Sequence, residues 1–148
     1  MNTIVSKRFF SENVAEIVVE APLIARSRRA GHFVIVRVDK NGERMPLTIA
    51  DANVEKGTIT LVVQRIGVSS SKLCALEPGD QVADLVGPLG KATDIKNFGT
   101  VVCACGGVGA APMLPIAKAL KASGNRVVTV LAARTAELII LKEELEAV

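Results

Sequence analysis

Two stretches of this 148-residue chain combine residue types and spacings that can do chemistry: Arg44-Met45-Pro46-Leu47-Thr48 and, further along, Gly106-Gly107-Val108-Gly109-Ala110-Ala111-Pro112. The glycine stretch follows an apolar run and precedes a run with helical periodicity. A turn without side chains lets a dinucleotide pyrophosphate approach the backbone, and unpaired amides at the next helix's N-terminus favour its negative charge. The order here is Gly-x-Gly-x-x-Pro, not Gly-x-Gly-x-x-Gly, and no acidic residue ends the next apolar run to hold a ribose hydroxyl. Tight strand-to-helix packing accounts for the same glycines.

In the other stretch Arg44 supplies a guanidinium, Pro46 cannot donate to a sheet ladder, and Thr48 supplies a hydroxyl. Such a strand can set a cation on a phosphate while backbone amides and Thr48 face a flavin ring. A barrel strand with an edge proline and an exposed arginine explains the spacing as well. Downstream, Gln64, Gly67, Ser69, Ser70 and Ser71 precede a short predicted helix, Ser70 to Leu76. Amides and hydroxyls there can hold phosphate, or simply cap the helix.

The elements that must position these residues fall into two grammars. From Ile4 to about Val86 the pattern is period-two, clearest at Thr58 to Gln64, with similar segments at Asn13 to Glu20 and Phe33 to Asp39. Asn41-Gly42, Lys56-Gly57 and Pro78-Gly79-Asp80 supply the turns between them. Short strands at close spacing predict a small antiparallel barrel, which hides its strand edges.

After Gly87-Pro88-Leu89-Gly90 the pattern changes to a buried strand, Thr100 to Cys105, then the glycine turn. A helix follows with Met113, Ile116, Ala117 and Leu120 on its apolar face and Lys118 and Lys121 on its wet side. Pro112 suits its first turn and Gly124 its stop. A second strand, Arg126 to Ala132, and a final helix, about Glu137 to Glu146, complete a β-α-β-α piece. Two parallel strands and two helices do not close a doubly wound domain. A fragment is therefore expected, or a second polypeptide that supplies the remainder.

Composition narrows the function classes. Hydrophobic residues make up 49% and mean hydropathy is +0.38, yet the longest apolar run, Thr100 to Ala104, falls far short of the ~20 residues that span a bilayer. Eighteen Lys and Arg against fifteen Asp and Glu leave a net charge of +3. The basic patch Arg26, Arg28, Arg29 has no neighbouring Trp or Tyr to stack bases, so nucleic-acid binding is not expected. It reads as a solvated loop or as a docking edge for an acidic partner. The start shows no signal core, and Cys74, Cys103 and Cys105 lack Cys-x-x-Cys spacing, so a reducing, cytoplasmic setting is expected. Cys103 and Cys105 share one face of the predicted strand and read as buried thiols. His32, isolated at a strand start, reads as structural.

The order of the segments Arg44 to Asp51 (RMPLTIAD), Val62 to Lys72 (VVQRIGVSSSK), Gly79-Asp80 with Gly87 to Gly90, and Gly106 to Pro115 (GGVGAAPMLP) resembles the ferredoxin-NADP reductase superfamily. Within it the chain is most similar to electron-transfer subunits of the dihydroorotate dehydrogenase type and to the flavin-bearing alpha subunit of NADH-dependent ferredoxin:NADP oxidoreductase, the sulfide dehydrogenase-like branch. The resemblance implies an antiparallel, Greek-key, FAD-binding β-barrel over residues 1–96, then a partial α/β NAD(P)-binding domain over residues 97–148. It implies Arg44, Pro46, Leu47 and Thr48 along the flavin, Val62, Val63, Gln64, Gly67, Ser69 and Ser70 along its phosphate side, and Gly106, Gly107, Val108 and Gly109 at the nicotinamide nucleotide. The aromatic that many members carry in the flavin motif is replaced here by Pro46 and Leu47.

The activity so implied is hydride exchange between NAD(P)H and FAD, then single-electron steps through an iron-sulfur centre, with no side chain acting as acid or nucleophile. The cysteine-rich segment that holds a 2Fe-2S cluster in this branch is absent from the sequence. The implied partners are a catalytic dehydrogenase or ferredoxin-type subunit and, through an uncovered sheet face, a second copy of the chain. The competing expectation is a non-catalytic docking or flavin-binding module of a larger dehydrogenase complex.

Overall fold

The computed structural model describes residues 2–148; Met1, where the expected first segment begins, lies outside the described residues. Strands β1 (Asn2–Ser11) and β2 (Val14–Glu20) form a hairpin, and a six-residue helix α1 (Pro22–Ser27) leads to β3 (Phe33–Arg37), β4 (Met45–Asn53) and β5 (Thr58–Gln64). Helix α2 (Val68–Ala75) precedes β6 (Gln81–Val82) and β7 (Asp84–Leu89). The sheet order is β6-β1-β2-β5-β4-β3-β7, antiparallel throughout. Its outermost strands β6 and β7 are consecutive in sequence, parted only by Ala83, whose N–H donates to the Val38 carbonyl at 3.1 Å. The sheet therefore closes on itself as a near-barrel, and the β2-to-β3 connection, which sets β2 beside β5, makes it a Greek key.

Alternation builds the core. Ile17 and Val19 of β2, Val34 and Val36 of β3, Ile49 of β4, and Ile59, Leu61 and Val63 of β5 all point inward and are buried, with Ile4 and Leu73. The outward residues Val14, Ala50 and Val62 are apolar too, because a second layer covers that wall.

That layer is β8 (Thr100–Gly106), a single 3₁₀ turn at Gly107–Gly109, α3 (Ala110–Ala122), β9 (Arg126–Ala132) and α4 (Lys142–Glu146). Strands β8 and β9 pair in parallel, with α3 as their crossover. Helix α3 lies against the barrel: Ala110, Ala111, Leu114, Ala117 and Leu120 share one core with Val14 and Ala50. Asp51 of β4 accepts hydrogen bonds from Lys118 of α3 at 2.7 Å and Arg28 at 3.3 Å, and Arg8 of β1 donates to Glu144 of α4 at 2.6 Å.

Several boundaries differ from the sequence reading. Strand β3 stops at Arg37 because Asp39 closes a turn, accepting the N–H of Asn41 on its side chain and that of Gly42 on its carbonyl. Helix α1 was not expected; Pro22 opens it and Ile24 and Ala25 bury against the barrel. Helix α2 begins at Val68, not Ser70. On α3 the buried stripe includes Ala110, Leu114 and Pro115, while Met113 and Ile116 lie at its margins. The expected helix from Glu137 is reduced to Lys142–Glu146. Leu141 adopts φ +56, which lets the successive residues Ile140 and Leu141 both enter the core.

Candidate functional site

The first groove arises where two strands part. Strands β4 and β5 pair from Asn53↔Thr58 to Ile49↔Leu61, with an irregularity between Ile49 and Asp51, and the ladder then stops. Residues 45–48 continue on β3 and residues 62–64 on β2, so the strands splay. Pro46 sits on the open side, where its missing N–H forfeits no ladder bond. The opening is lined by Glu43, Met45, Pro46 and Leu47 on one side, Val63 and Gln64 on the other, and residues 66–70 across the end.

Those end residues are the entry to α2. Gly67 is its N-cap, and no side chain caps the helix amides. Ser70 turns back instead: its hydroxyl accepts the N–H groups of Ile66 (3.1 Å) and Gly67 (3.0 Å) and lies 3.1 Å from the Gly67 carbonyl. A Cβ at Gly67 would meet nothing within 4 Å, so the cap faces open space. Ile66 (82% exposed) and Val68 (75% exposed) flank it as apolar shoulders.

A second groove lies at the glycine turn, lined by Gly106, Gly107 and Val108 with Val14, Gln64, Ala132, Ala133, Arg134, Leu138 and Ile140. Gly107 has φ +53, a conformation that favours glycine, and a Cβ there would again meet no atom within 4 Å. Gly109 is the N-cap of α3, which has no side-chain cap and no acidic residue in its first turn. Gln64, paired with Val14 at the end of β5, lines both grooves.

The structure thus gathers Pro46, Leu47, Val63, Gln64, Gly67, Ser69 and Ser70 in one groove, and Gly106, Gly107, Val108 and Gln64 in the other. Arg44, Thr48, Val62 and Gly109 lie outside both linings. Arg44 is exposed and donates to Asp84 at 2.8 Å; Thr48 pairs with Phe33; Val62 packs into the core beneath α3. Ser69 donates to the Glu43 carboxylate at 3.2 Å. Sequence reasoning missed Glu43, Ile66 and Val68, although two apolar residues flanking a glycine before a serine run were a visible signal. It also missed Val14, Leu138 and Ile140, which only tertiary packing brings to the glycines.

Other candidates are structural. The Nδ1 of His32 accepts the Arg29 N–H at 3.0 Å and its carbonyl accepts the Ile49 N–H, so it fastens the turn before β3 to β4. Burial pushes the Cys74, Cys103 and Cys105 thiols up, with Cys103 adding to the effect at Cys105, so none is poised as a thiolate. Among the described residues no three His, Cys, Asp or Glu side chains are grouped to hold a metal. Among the described residues no helix is long and apolar enough to cross a membrane.

No protein-family model matches the chain. Over 97% of its length it is 42% identical to the dihydroorotate dehydrogenase B (NAD(+)) electron transfer subunit homolog of Thermotoga maritima, of which it covers 51%. The solved structure of the NADH-dependent reduced ferredoxin-NADP oxidoreductase superposes with a TM-score of 0.97 and 42% identity, over 99% of this chain and 54% of that one. Ferredoxin-NADP+ reductase from Plasmodium falciparum shares the fold, with a TM-score of 0.78 at 18% identity over 99% of this chain and 63% of that one. The chain spans about half the length of the curated relatives it matches. Near-barrel, parted strands, glycine turn and these likenesses agree: the chain belongs to the ferredoxin-NADP reductase-like superfamily.

Proposed function

We propose that this chain is a flavin-binding electron-transfer module that passes electrons between NAD(P)H and an iron-sulfur partner through FAD. Residues 1–96 are the flavin-binding barrel, and residues 97–148 are the first part of the nucleotide-binding domain. The observation that carries the reading is the shared wall: Gln64 borders both the groove between β4 and β5 and the groove at the glycine turn.

The residues present fit a flavin. Pro46, Leu47 and Val63 offer an apolar wall for a planar ring, while the uncapped amides of α2 and the hydroxyl of Ser69 suit its diphosphate. A flavin at such a seat supplies two-electron exchange with a nicotinamide and one-electron exchange with a metal centre. The chain's own work is to bind and align: Gly107 keeps the second groove free of side chains, and Gly109 and α3 present amides to a pyrophosphate.

The relatives named as electron transfer subunits support a partner subunit, either a dehydrogenase or a ferredoxin-type protein. The test is reconstitution of the purified chain with FAD, followed by anaerobic addition of NADH. Flavin absorbance that bleaches supports the whole reading. Absorbance that persists supports a flavin seat without reductase activity in this chain. A chain that cannot retain FAD refutes the proposal and favours a docking module.

A further inference from the structure

We infer that the cleft between the barrel and the last turn of α3, rimmed by arginine and lysine, is a docking site for an acidic polypeptide segment that carries an apolar side chain. It goes beyond the flavin and nucleotide reading and is independent of it: the cleft shares no lining residue with either groove.

Charge is spread unevenly along the chain, and the fold gathers it. Residues 26–31, 91–97 and 118–126 hold eight of the eighteen Lys and Arg but only one of the fifteen Asp and Glu, a local charge of +7. The rest of the chain, with ten cations and fourteen acids, stands at −4. The three segments meet. The Thr93 N–H donates to the Ala30 carbonyl at 2.9 Å. The buried Asn125 side chain donates to the Lys96 carbonyl at 2.9 Å and accepts the Phe98 N–H at 2.6 Å.

Three of the eight cations are used internally: Arg28 and Lys118 on Asp51, and Lys96 on Asp94. Arg26, Arg29, Lys91, Lys121 and Arg126 are exposed and, among the described residues, have no carboxylate partner. Unpaired like charges gathered at one end of a molecule repel one another and attract an anionic partner.

The cleft lies among them. Arg29 and Lys91 line it together with Ala30, Ile95, Ala119 and Ala122. Asp94, the acid in the lining, is already neutralised by Lys96. The Ala119 and Leu120 carbonyls, at the negative end of α3, accept the N–H groups of Ser123 and Asn125, which blunts their repulsion of an anion.

A cationic rim beside an apolar floor selects among anionic partners. Duplex phosphates offer nothing to the floor, and the nearby exposed Phe98 already carries the Lys96 ammonium 5.4 Å from its ring centroid. An acidic protein segment supplies both the carboxylates and the apolar anchor.

The test uses the full chain and a fluorescent peptide of Glu and Asp with one Leu at its centre, read by anisotropy. Saturable binding is expected, weakened about tenfold when Ser replaces the Leu. It is expected to fade as salt rises from ~0.1 M to ~1 M and the screening length falls from ~10 Å to ~3 Å. Arg29→Glu with Lys91→Glu is expected to weaken binding about tenfold or more. Lys40→Glu with Lys56→Glu, at exposed positions outside the cleft, changes the net charge equally and is expected to shift binding by about twofold at most. Arg29→Gln with Lys91→Gln, expected to give a smaller loss, serves if the charge-reversed variant does not fold.

Absence of binding overturns the inference. Equal loss in the two charge-reversed variants, or equal binding of the Leu and Ser peptides, also overturns it, by reducing the effect to net charge. Duplex DNA or phosphatidylserine vesicles bound more tightly than the peptide through Arg29 and Lys91 overturn it too, by assigning the cleft to another class of partner.

Discussion

Two charged groups at the groove between β4 and β5, Glu43 and Arg44, are already engaged with the protein itself. Ser69 is bonded to Glu43 and Arg44 to Asp84, so under the proposed function a diphosphate entering at α2 would compete with the Glu43 carboxylate. Exposed polar contacts of this kind are worth up to ~1 kcal/mol. Glu43→Gln is accordingly expected to tighten FAD binding about two- to fivefold, read by quenching of flavin fluorescence; equal or weaker binding would show that Glu43 supports the site instead. Ser70 does the opposite work. Its hydroxyl holds two backbone amides in place at the turn into α2, and Ser70→Ala leaves both without that acceptor. A cost of about 1–2 kcal/mol and a looser flavin seat are expected, measured as a lower urea midpoint and a higher dissociation constant for FAD.

At the scale of elements, what matters is how β4 is shared. One half pairs with β5 and the other with β3 alone, which opens the groove, and Pro46 is tolerated because it lies in that second half. The proline was visible in the sequence; the splay was not, since it depends on where the β5 ladder ends. Elements with strong local signals, such as β5 and β9, were legible to the residue. Helix α4 was not, because Ile140 and Leu141 are drawn into a core made with α3, and that long-range demand overrides the helical pattern from Glu137. The same helix is tied to the barrel by Arg8 and Glu144. Burial is the largest single influence and works against ionising Glu144, but the hydrogen bond from Arg8, a backbone hydrogen bond and the charges of Arg8 and Lys118 together outweigh it and hold the carboxyl below its ordinary range. A depressed carboxylate contributes stability above its unfolded pKa and loses it as pH falls through the folded value. Arg8→Met, which also removes the paired hydrogen bonds to Glu16 at 2.7 and 3.0 Å, is thus expected to cost up to ~1 kcal/mol in urea unfolding near neutral pH, and the part owed to Glu144 is lost once that carboxyl is protonated in both states. A cost that persists in acid would assign Arg8 a packing role over the ring of Phe10, whose centroid lies 4.6 Å from its guanidinium.

For the whole molecule, the sequence divides into a barrel and a short parallel β/α segment, while the packing joins them. Two cores are present, but the second is not confined to the later residues: Val14 and Ala50, on the barrel's outer wall, are buried with Ala110, Leu114, Ile140 and Leu145. A two-stranded sheet with one covered face has too little core to stand alone, so its stability is borrowed from the barrel through this shared layer. The two parts are therefore expected to unfold together. Each part carries a buried thiol that can serve as a probe: Cys74 is 3% exposed in the barrel and Cys103, two residues before the half-buried Cys105, is 4% exposed in β8. Pulsed alkylation along a urea series, resolved by mass spectrometry, should show both cysteines becoming reactive at the same midpoint. Leu114→Ala, which removes a buried side chain from the shared layer at a cost of about 2–5 kcal/mol, should shift both midpoints down in step. If Cys103 reacted at lower urea than Cys74, the β/α segment would be an independently frayed appendage. The geometry linking Gln64 to the glycine turn would then have to be set by a partner, not by this chain.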